Sequence, residues 1–152
     1  MSIEATLARK GITLPAAPAP AANYVPFVQT GNLVFVSGQI SQDEGGLIKG
    51  RLGDGMSVDE GAASARRCGL SLIAQLKAAV GDLDRVRRVV KLTGFVNSTA
   101  DFTDQPEVIN GCSDLMVQVI GEAGRHARAA VSAPALPRGV AVEIEAVFQI
   151  AD

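Results

Sequence analysis

Among its 152 residues the chain has no tryptophan, one tyrosine, one histidine and two cysteines. With a single histidine, at position 126, the chain cannot assemble a site of two or more histidine ligands, so we expect no metal. Cys68 and Cys112 are far apart in segments with helical patterning, which favours two buried small side chains over a disulfide framework. The sequence therefore predicts neither a metalloenzyme nor a disulfide-stapled fold.

A positive charge excess and a long apolar run are also missing. The net charge is -2 and the pI is near 5.4, so no basic field attracts phosphates, and six aromatic residues offer few stacking platforms. No run approaches the ~20 apolar residues that span a bilayer, and residues 1–11 lack the continuous apolar core of a secretory signal. We expect a cytoplasmic protein without nucleic-acid or membrane partners.

The N-terminal region, residues 1–22, differs from the remainder. An apolar pattern capped by Ser2 predicts a short helix ended by Gly11. Three prolines then occur within residues 14–22, the proline arm, which favours an extended segment. This arm either lies across a surface or is a plain tether. We expect the main domain to comprise residues 23–152.

The main domain shows alternating strand and helix signals. Gly31-Asn32 separates two β-rich runs, 24–30 and 33–37, as in a hairpin, and a glycine-rich loop follows. A capping box at Ser57 opens a long helix. A strand over 86–96, a helix over 104–121 and two neighbouring antiparallel strands over 128–132 and 140–150 complete the chain.

The predicted order is β-β-α-β-α-β-β, which is an α+β fold with two helices on one face of a mixed sheet. The other sheet face remains uncovered. A partly apolar, uncovered sheet face is a candidate interface between subunits.

The last two strands carry the candidate chemistry. Arg128 is flanked by alanines, so its guanidinium needs an acceptor, which is either a ligand carboxylate or a structural partner such as Glu143 on the paired strand. Glu143 and Glu145 share one strand face and are either a general base with an orienting group or a solvated surface. His126 has no evident local partner and is interpreted as a turn residue without function.

Three separated segments resemble the YjgF/Rid family, which is also labelled endoribonuclease L-PSP-like. They are the run from Asn23 through Ser37-Gly38-Gln39, the segment 81–96, and Ala127-Arg128 through Leu136-Pro137 to Glu143-Ile144-Glu145-Ala146. The resemblance implies a chorismate-mutase-like fold, homotrimers and ligand sites between subunits. It also implies hydrolysis of reactive enamines and 2-imino acids to 2-oxo acids and ammonia without any cofactor.

By the same resemblance, Arg128 grips the substrate carboxylate and Glu143 lies near the attacking water, while Tyr24, Ser37 and Asn110 line the substrate site. Ala130 replaces a frequent cysteine of the family's deaminases, and the stretch 102–110 is longer than in compact members. These departures leave two alternatives beside the deaminase. One is a non-catalytic trimer that binds small carboxylate metabolites, and the other is an endoribonuclease, which the acidic pI and single histidine disfavour.

Overall fold

The computed structural model describes residues 2–20 and 22–152. Met1 and Ala21, both within the predicted N-terminal region, lie outside the described residues. In chain order the elements are α1 (Ile3–Arg9), β1 (Phe27–Thr30), β2 (Leu33–Ile40), β3 (Gln42–Asp43), β4 (Gly46–Leu47), α2 (Val58–Val80), β5 (Val86–Asn97), α3 (Gln105–Ile120), β6 (Ala127–Ala133) and β7 (Val142–Ile150). The predicted α+β class is confirmed.

Local sequence signals fix several element boundaries. The Ser2 side chain accepts a hydrogen bond from the Ala5 N–H and caps α1. Ser57 and Glu60 form the predicted reciprocal capping box at the start of α2. Gly31 has the positive φ of 59° that its hairpin turn requires. Pro106 lies in the first turn of α3, where its missing N–H costs no hydrogen bond.

The main sheet has the order β1-β2-β7-β5-β6, in which β5 and β6 are parallel and the other pairs are antiparallel. The predicted pairing of the Arg128 strand with the C-terminal strand is therefore wrong. β6 is the edge strand and pairs with β5, whereas β7 lies between β2 and β5. The reason is that α3 connects β5 to β6, and a helical crossover returns the chain parallel to the first strand.

Helices α2 and α3 cover one face of this sheet. α2 packs on β2 and β7, and α3 packs on β5, β6 and α2. The core between the layers includes fully buried large side chains, among them Leu72, Leu76, Leu92, Ile109, Leu115, Ile144 and Phe148. Because alternate residues of β7 point into this core, the strict period-2 pattern of the C-terminal strand follows from burial of one face.

Gly111 permits the close approach of α2 and α3. A Cβ at this position would overlap the backbone carbonyl of Ala62 on α2, and a backbone atom cannot move away as a flexible side chain can. A glycine within a helix lowers its stability relative to alanine. In the structure α3 is continuous, and the glycine serves helix packing.

The glycine-rich stretch after β2 is more ordered than predicted. β3 and β4 form a short hairpin, and isolated bridges then join Lys49 to Val140 and Leu52 to Ser98. Leu52 is fully buried in the main core. The segment predicted as one long loop therefore contributes a core side chain and two strands.

The sheet face away from the helices carries exposed apolar side chains. Val28, Phe35 and Val131 are each more than two-fifths exposed. They belong to β1 and β2 on one side of the sheet and to β6 at the opposite edge. In the described part of the chain, no helix is long and apolar enough to cross a membrane.

Candidate functional site

A cleft of about 440 Å³ opens where β2 and β7 meet the N-terminal segment. Three residues that the sequence singled out, Tyr24, Ser37 and Glu143, line it together. The Ser37 hydroxyl donates to the Val25 carbonyl at 2.8 Å, and the Ser37 N–H donates to the Pro26 carbonyl at 2.9 Å. These two bonds hold the segment beginning at Tyr24 against β2. We call this site the Glu143 cleft.

A bulge in β2 creates the space for the Glu143 side chain. The register between β2 and β7 shifts between Val36 and Gln39, so Ser37 and Gly38 lie at the irregularity. A Cβ on Gly38 would collide with the Glu143 carboxylate. The glycine of the Ser-Gly-Gln motif therefore allows the backbone to approach this carboxyl group closely.

The Glu143 carboxyl group is partly withdrawn from water. Burial raises its pKa above the ordinary glutamate value, and the negative charge of Glu145 raises it further. Neither an ion pair nor a side-chain hydrogen bond engages Glu143 within residues 2–20 and 22–152. A half-buried carboxyl group with a raised pKa and no protein partner is suited to exchange a proton with a bound molecule.

Arg128 lies elsewhere, in a shallow depression between β6 and α3 that Ser113, His126 and Arg125 also line. Its Nη1 donates to Asn110 Oδ1 at 2.8 Å and to Ser113 Oγ at 3.1 Å. Both hydrogens of Nη1 are thus used. Nε and Nη2 make no bond to the described residues and leave one planar edge of the guanidinium for a carboxylate.

His126 supports this arrangement through Ser113. Its Nδ1 is 2.7 Å from the Gly124 carbonyl, which only accepts, so Nδ1 carries the hydrogen of the neutral ring. Nε2 then accepts from the Ser113 hydroxyl at 2.9 Å. The Ser113 oxygen is left to accept from Arg128. The sequence shows no local partner for His126, whereas the structure bonds it to Ser113 and Gly124.

The Arg128 cluster comprises Asn110, Ser113, His126 and Arg128. Within one chain it is separate from the Glu143 cleft. Arg128 aligns with Leu92 of the intervening strand β5, and Glu143 aligns with Phe95. Leu92 and Phe95 are three residues apart, so their side chains point to opposite faces of the sheet. The alternative in which Arg128 forms a salt bridge with Glu143 is therefore wrong. The five predicted site residues form two groups.

The two cysteines lie in the core, as predicted. Burial raises the pKa of the Cys112 thiol to about 12 and raises that of Cys68 well above its usual range. Neither is therefore a thiolate nucleophile. Ala130 aligns with Gly94 on the helix-facing side and packs partly against the core. Among the described residues, no group of three His, Cys, Asp or Glu side chains is placed to hold a metal ion.

Sequence reasoning missed Ser113 and Arg138. Ser113 follows Asn110 by three residues, and this spacing places both on one face of α3, but the sequence does not indicate which strand that face meets. Arg138 lines the Glu143 cleft with a left-handed backbone at φ 58°. The neighbouring Pro137 and Gly139 predict a turn, but they do not predict that its central residue, Arg138, has a left-handed backbone.

Known proteins share this architecture. A family model described as "YjgF/chorismate_mutase-like, putative endoribonuclease" matches residues 4–148. Protein TCP17 of Trypanosoma cruzi is 53% identical over 150 residues, which covers 97% of this chain and 94% of that protein. The 2-iminobutanoate/2-iminopropanoate deaminase of Mus musculus is 32% identical over 142 residues, covering 93% of this chain and 92% of the deaminase.

Solved structures agree with the sequence matches. The crystal structure of Atu1372 from Agrobacterium tumefaciens, a protein of unknown function, has a TM-score of 0.89 and 47% identity, covering 97% of this chain and 92% of that chain. The resemblance inferred from the Ser-Gly-Gln, Arg128 and Glu143 segments is thereby confirmed. The chain belongs to the YjgF/chorismate mutase-like family.

Proposed function

We propose that the protein hydrolyses small 2-imino acids to 2-oxo acids and ammonia, without a cofactor, at a site where two copies of a homotrimer meet. The observation that carries this proposal is the Glu143 carboxyl group, half-buried, without a protein partner and with a raised pKa, in a cleft with Tyr24 and Ser37. The name of the mouse relative, a 2-iminobutanoate/2-iminopropanoate deaminase, supports the reaction class.

Arg128 is the proposed carboxylate-binding residue. The Asn110 and Ser113 oxygens hold Nη1, so the remaining Nε and Nη2 edge is presented in a fixed orientation. A bidentate pair with a carboxylate fixes both the position and the direction of a small substrate. This is the chemistry that a 2-imino acid requires, because its carboxylate is bonded directly to the imine carbon.

The reaction needs one acid–base group and one water. Glu143 takes a proton from a water whose oxygen bonds to the protonated imine carbon, and the C=N π electrons move to nitrogen. The same carboxyl group then gives that proton to the nitrogen of the resulting carbinolamine. The C–N bond breaks as the carbonyl forms, the Glu143 carboxylate takes the hydroxyl proton and passes it to the released ammonia, and a 2-oxo acid and an ammonium ion leave. A raised pKa suits both proton transfers near neutral pH.

A second copy of the chain accounts for the separation of the two groups. Because Glu143 and Arg128 face opposite sides of one sheet, one chain does not bring both to a single small substrate. The exposed apolar side chains of Val28, Phe35 and Val131 provide a surface that assembly would bury. Cyclic assembly would then place the Arg128 cluster of one copy beside the Glu143 cleft of the next.

The test is hydrolysis of freshly generated 2-iminopropanoate in the presence of semicarbazide, which traps the remaining imine. We expect the protein to lower the initial rate of semicarbazone formation, because semicarbazide reacts faster with the imine than with pyruvate, and the Glu143→Gln variant to match the reaction without protein. A wild-type protein that also matches the protein-free reaction would refute deamination of this substrate. Saturable binding of pyruvate that is lost in Arg128→Ala would then support the non-catalytic binder.

Endoribonuclease activity is the remaining alternative, and the family description mentions it. The pI near 5.4 works against binding of a polyanion. The lone histidine is occupied by Ser113 and Gly124 on the side of the sheet away from Glu143. RNA cleavage by the purified protein that is lost in Glu143→Gln would favour this alternative over the deaminase.

A further inference from the structure

The proline arm forms part of the Glu143 cleft. Pro18, Ala19 and Pro20 line it beside Tyr24, Ser37 and Glu143. Earlier residues of the arm, from Pro15 to Pro18, line a neighbouring groove with Arg67 and Ser71 of α2. The described part of the arm therefore lies across the surface, as one of the two alternatives from the sequence predicted, and reaches the place where a substrate would bind.

A buried glutamine on α2 holds the middle of the arm. Gln75 is only 1% exposed, and its Nε2 donates to the Pro18 carbonyl at 2.6 Å. The same nitrogen lies 3.5 Å from Gln39 Oε1, and Gln39 Nε2 donates to the Ser37 carbonyl at 3.0 Å. Two buried side-chain amides thus connect the arm to the strand that carries Ser37.

The ends of the arm are restrained as well. Upstream, Ile12 and Leu14 pack against the main core, and Lys77 forms an ion pair with Glu4 of α1 at 3.1 Å. Downstream, the chain enters the Tyr24 segment, which bonds to β2 through Ser37. Proline restricts the backbone between these points. The described part of the arm is therefore held at Pro18 and lies between two restrained segments.

We propose that the proline arm is a fixed wall that limits the size of the molecule entering the Glu143 cleft, and that Gln75 is the residue that positions it. The inference rests on the proposed function in taking this cleft as the substrate site and 2-imino acids as the substrates. The wall presents proline rings and an alanine methyl group, and the prolines have no N–H. It therefore favours 2-imino acids with short apolar side chains and disfavours branched or polar ones.

Two variants loosen the proline arm in different ways. Gln75→Met has a similar volume but cannot donate to Pro18. The double variant Pro18→Gly/Pro20→Gly makes the arm flexible and leaves the core and Gln75 unchanged. It tests the same inference if Gln75→Met does not fold. Gln118→Met is the control, because Gln118 is on α3 and accepts a hydrogen bond from Arg66.

The first measurement does not depend on catalysis. A cysteine introduced as Ile40→Cys, at a residue that lines the cleft and forms no side-chain bond to the arm, is labelled with iodoacetamide and with a bulky maleimide, and Cys68 and Cys112, being buried, give only background. We expect either arm variant to increase the ratio of bulky to small labelling several-fold, and Gln118→Met to leave it unchanged. An unchanged ratio in both arm variants would overturn the inference.

The second measurement tests substrate selection without the introduced cysteine. The ratio of kcat/KM for the imine of 4-methyl-2-oxopentanoate to that for 2-iminopropanoate should rise about tenfold in the arm variants. Increased labelling with an unchanged substrate ratio would overturn the role in selection. A wild-type protein without imine turnover would refute the proposed function instead, and the labelling ratio would still decide whether the arm limits access.

Discussion

The Glu143 cleft and the Arg128 cluster differ in how their charged groups are satisfied. Arg128 is held by Asn110 and Ser113, and His126 orients Ser113 in turn. Glu143 has no side-chain partner among the described residues, and its partial burial raises its pKa. A group that binds substrate benefits from fixed orientation, whereas a group that exchanges protons benefits from a pKa nearer neutrality.

The two regions also differ in shape. The Glu143 cleft has a volume of about 440 Å³ and is bounded by the proline arm, whereas the Arg128 cluster lies in a smaller depression at the edge strand. In the proposed reaction, the cleft holds the acid–base group and the edge strand presents the carboxylate-binding group. Each region lacks what the other supplies, which is the reason to propose that they combine between copies of the chain.

The largest expected effect is that of Glu143→Gln, which keeps the shape of the side chain and removes its proton exchange. We expect kcat for imine hydrolysis to fall by about 10²–10⁴ while KM changes little, since general acid–base catalysis contributes about that much. Steady-state ammonia release measures both. Glu107→Gln, in the exposed first turn of α3, is the matched control. A rise in KM with unchanged kcat would assign Glu143 to binding.

Arg128→Gln should have the next largest effect, mainly on KM. Loss of a charge-assisted carboxylate pair costs about 1.5–3 kcal/mol, which corresponds to a roughly 10–150-fold increase in KM. Arg125→Gln is the control, because Arg125 lines the same depression but is paired with Glu122 at 3.0 Å. Equal losses in the two variants would indicate a general effect of positive charge.

Ser113→Ala should weaken substrate binding less, by about three- to tenfold in KM, because one neutral hydrogen bond that orients Arg128 is worth about 0.5–1.5 kcal/mol. The effect should disappear in the Arg128→Gln background, which a double-mutant cycle measures. Additive losses would show that Ser113 acts independently of Arg128.

The smallest effect concerns stability. The pKa of Glu143 is raised on folding, so the neutral carboxyl group is favoured in the folded state and stability is lost as pH rises through the folded-state pKa. Glu143→Gln should therefore raise the melting temperature slightly near pH 8 and leave it nearly unchanged near pH 3. Thermal unfolding at both pH values measures the difference. A variant less stable than the wild type near pH 8 would contradict the burial cost.

The sequence predicted the individual helices and strands better than it predicted which strands pair. The Ser57 capping box and the alternation in β7 are local signals, and both were confirmed. The predicted pairing of β6 with β7 is wrong, because adjacency in sequence favours a hairpin but does not require one. The helical connection between β5 and β6 was the stronger signal, since it requires parallel pairing.

The same limit applies to the site. The motif resemblance predicted Arg128, Glu143 and Ser37 as site residues, but it did not indicate which of them lie on the same surface. Ser113 and Gln75 could not be found from their own helices, because each acts through a contact with a distant segment, β6 or the proline arm. Such contacts depend on strand order and helix docking, which no local pattern specifies.

Mixing Glu143→Gln and Arg128→Gln subunits tests most directly whether the two regions combine between copies. Each variant alone should have little activity. After the two are unfolded and refolded together in equal amounts, random cyclic assembly pairs an intact Glu143 with an intact Arg128 at about a quarter of the sites, so about a quarter of wild-type activity should return. Native mass spectrometry shows whether mixed oligomers have formed. If they have formed and are no more active than the separate variants, a site shared between copies is contradicted.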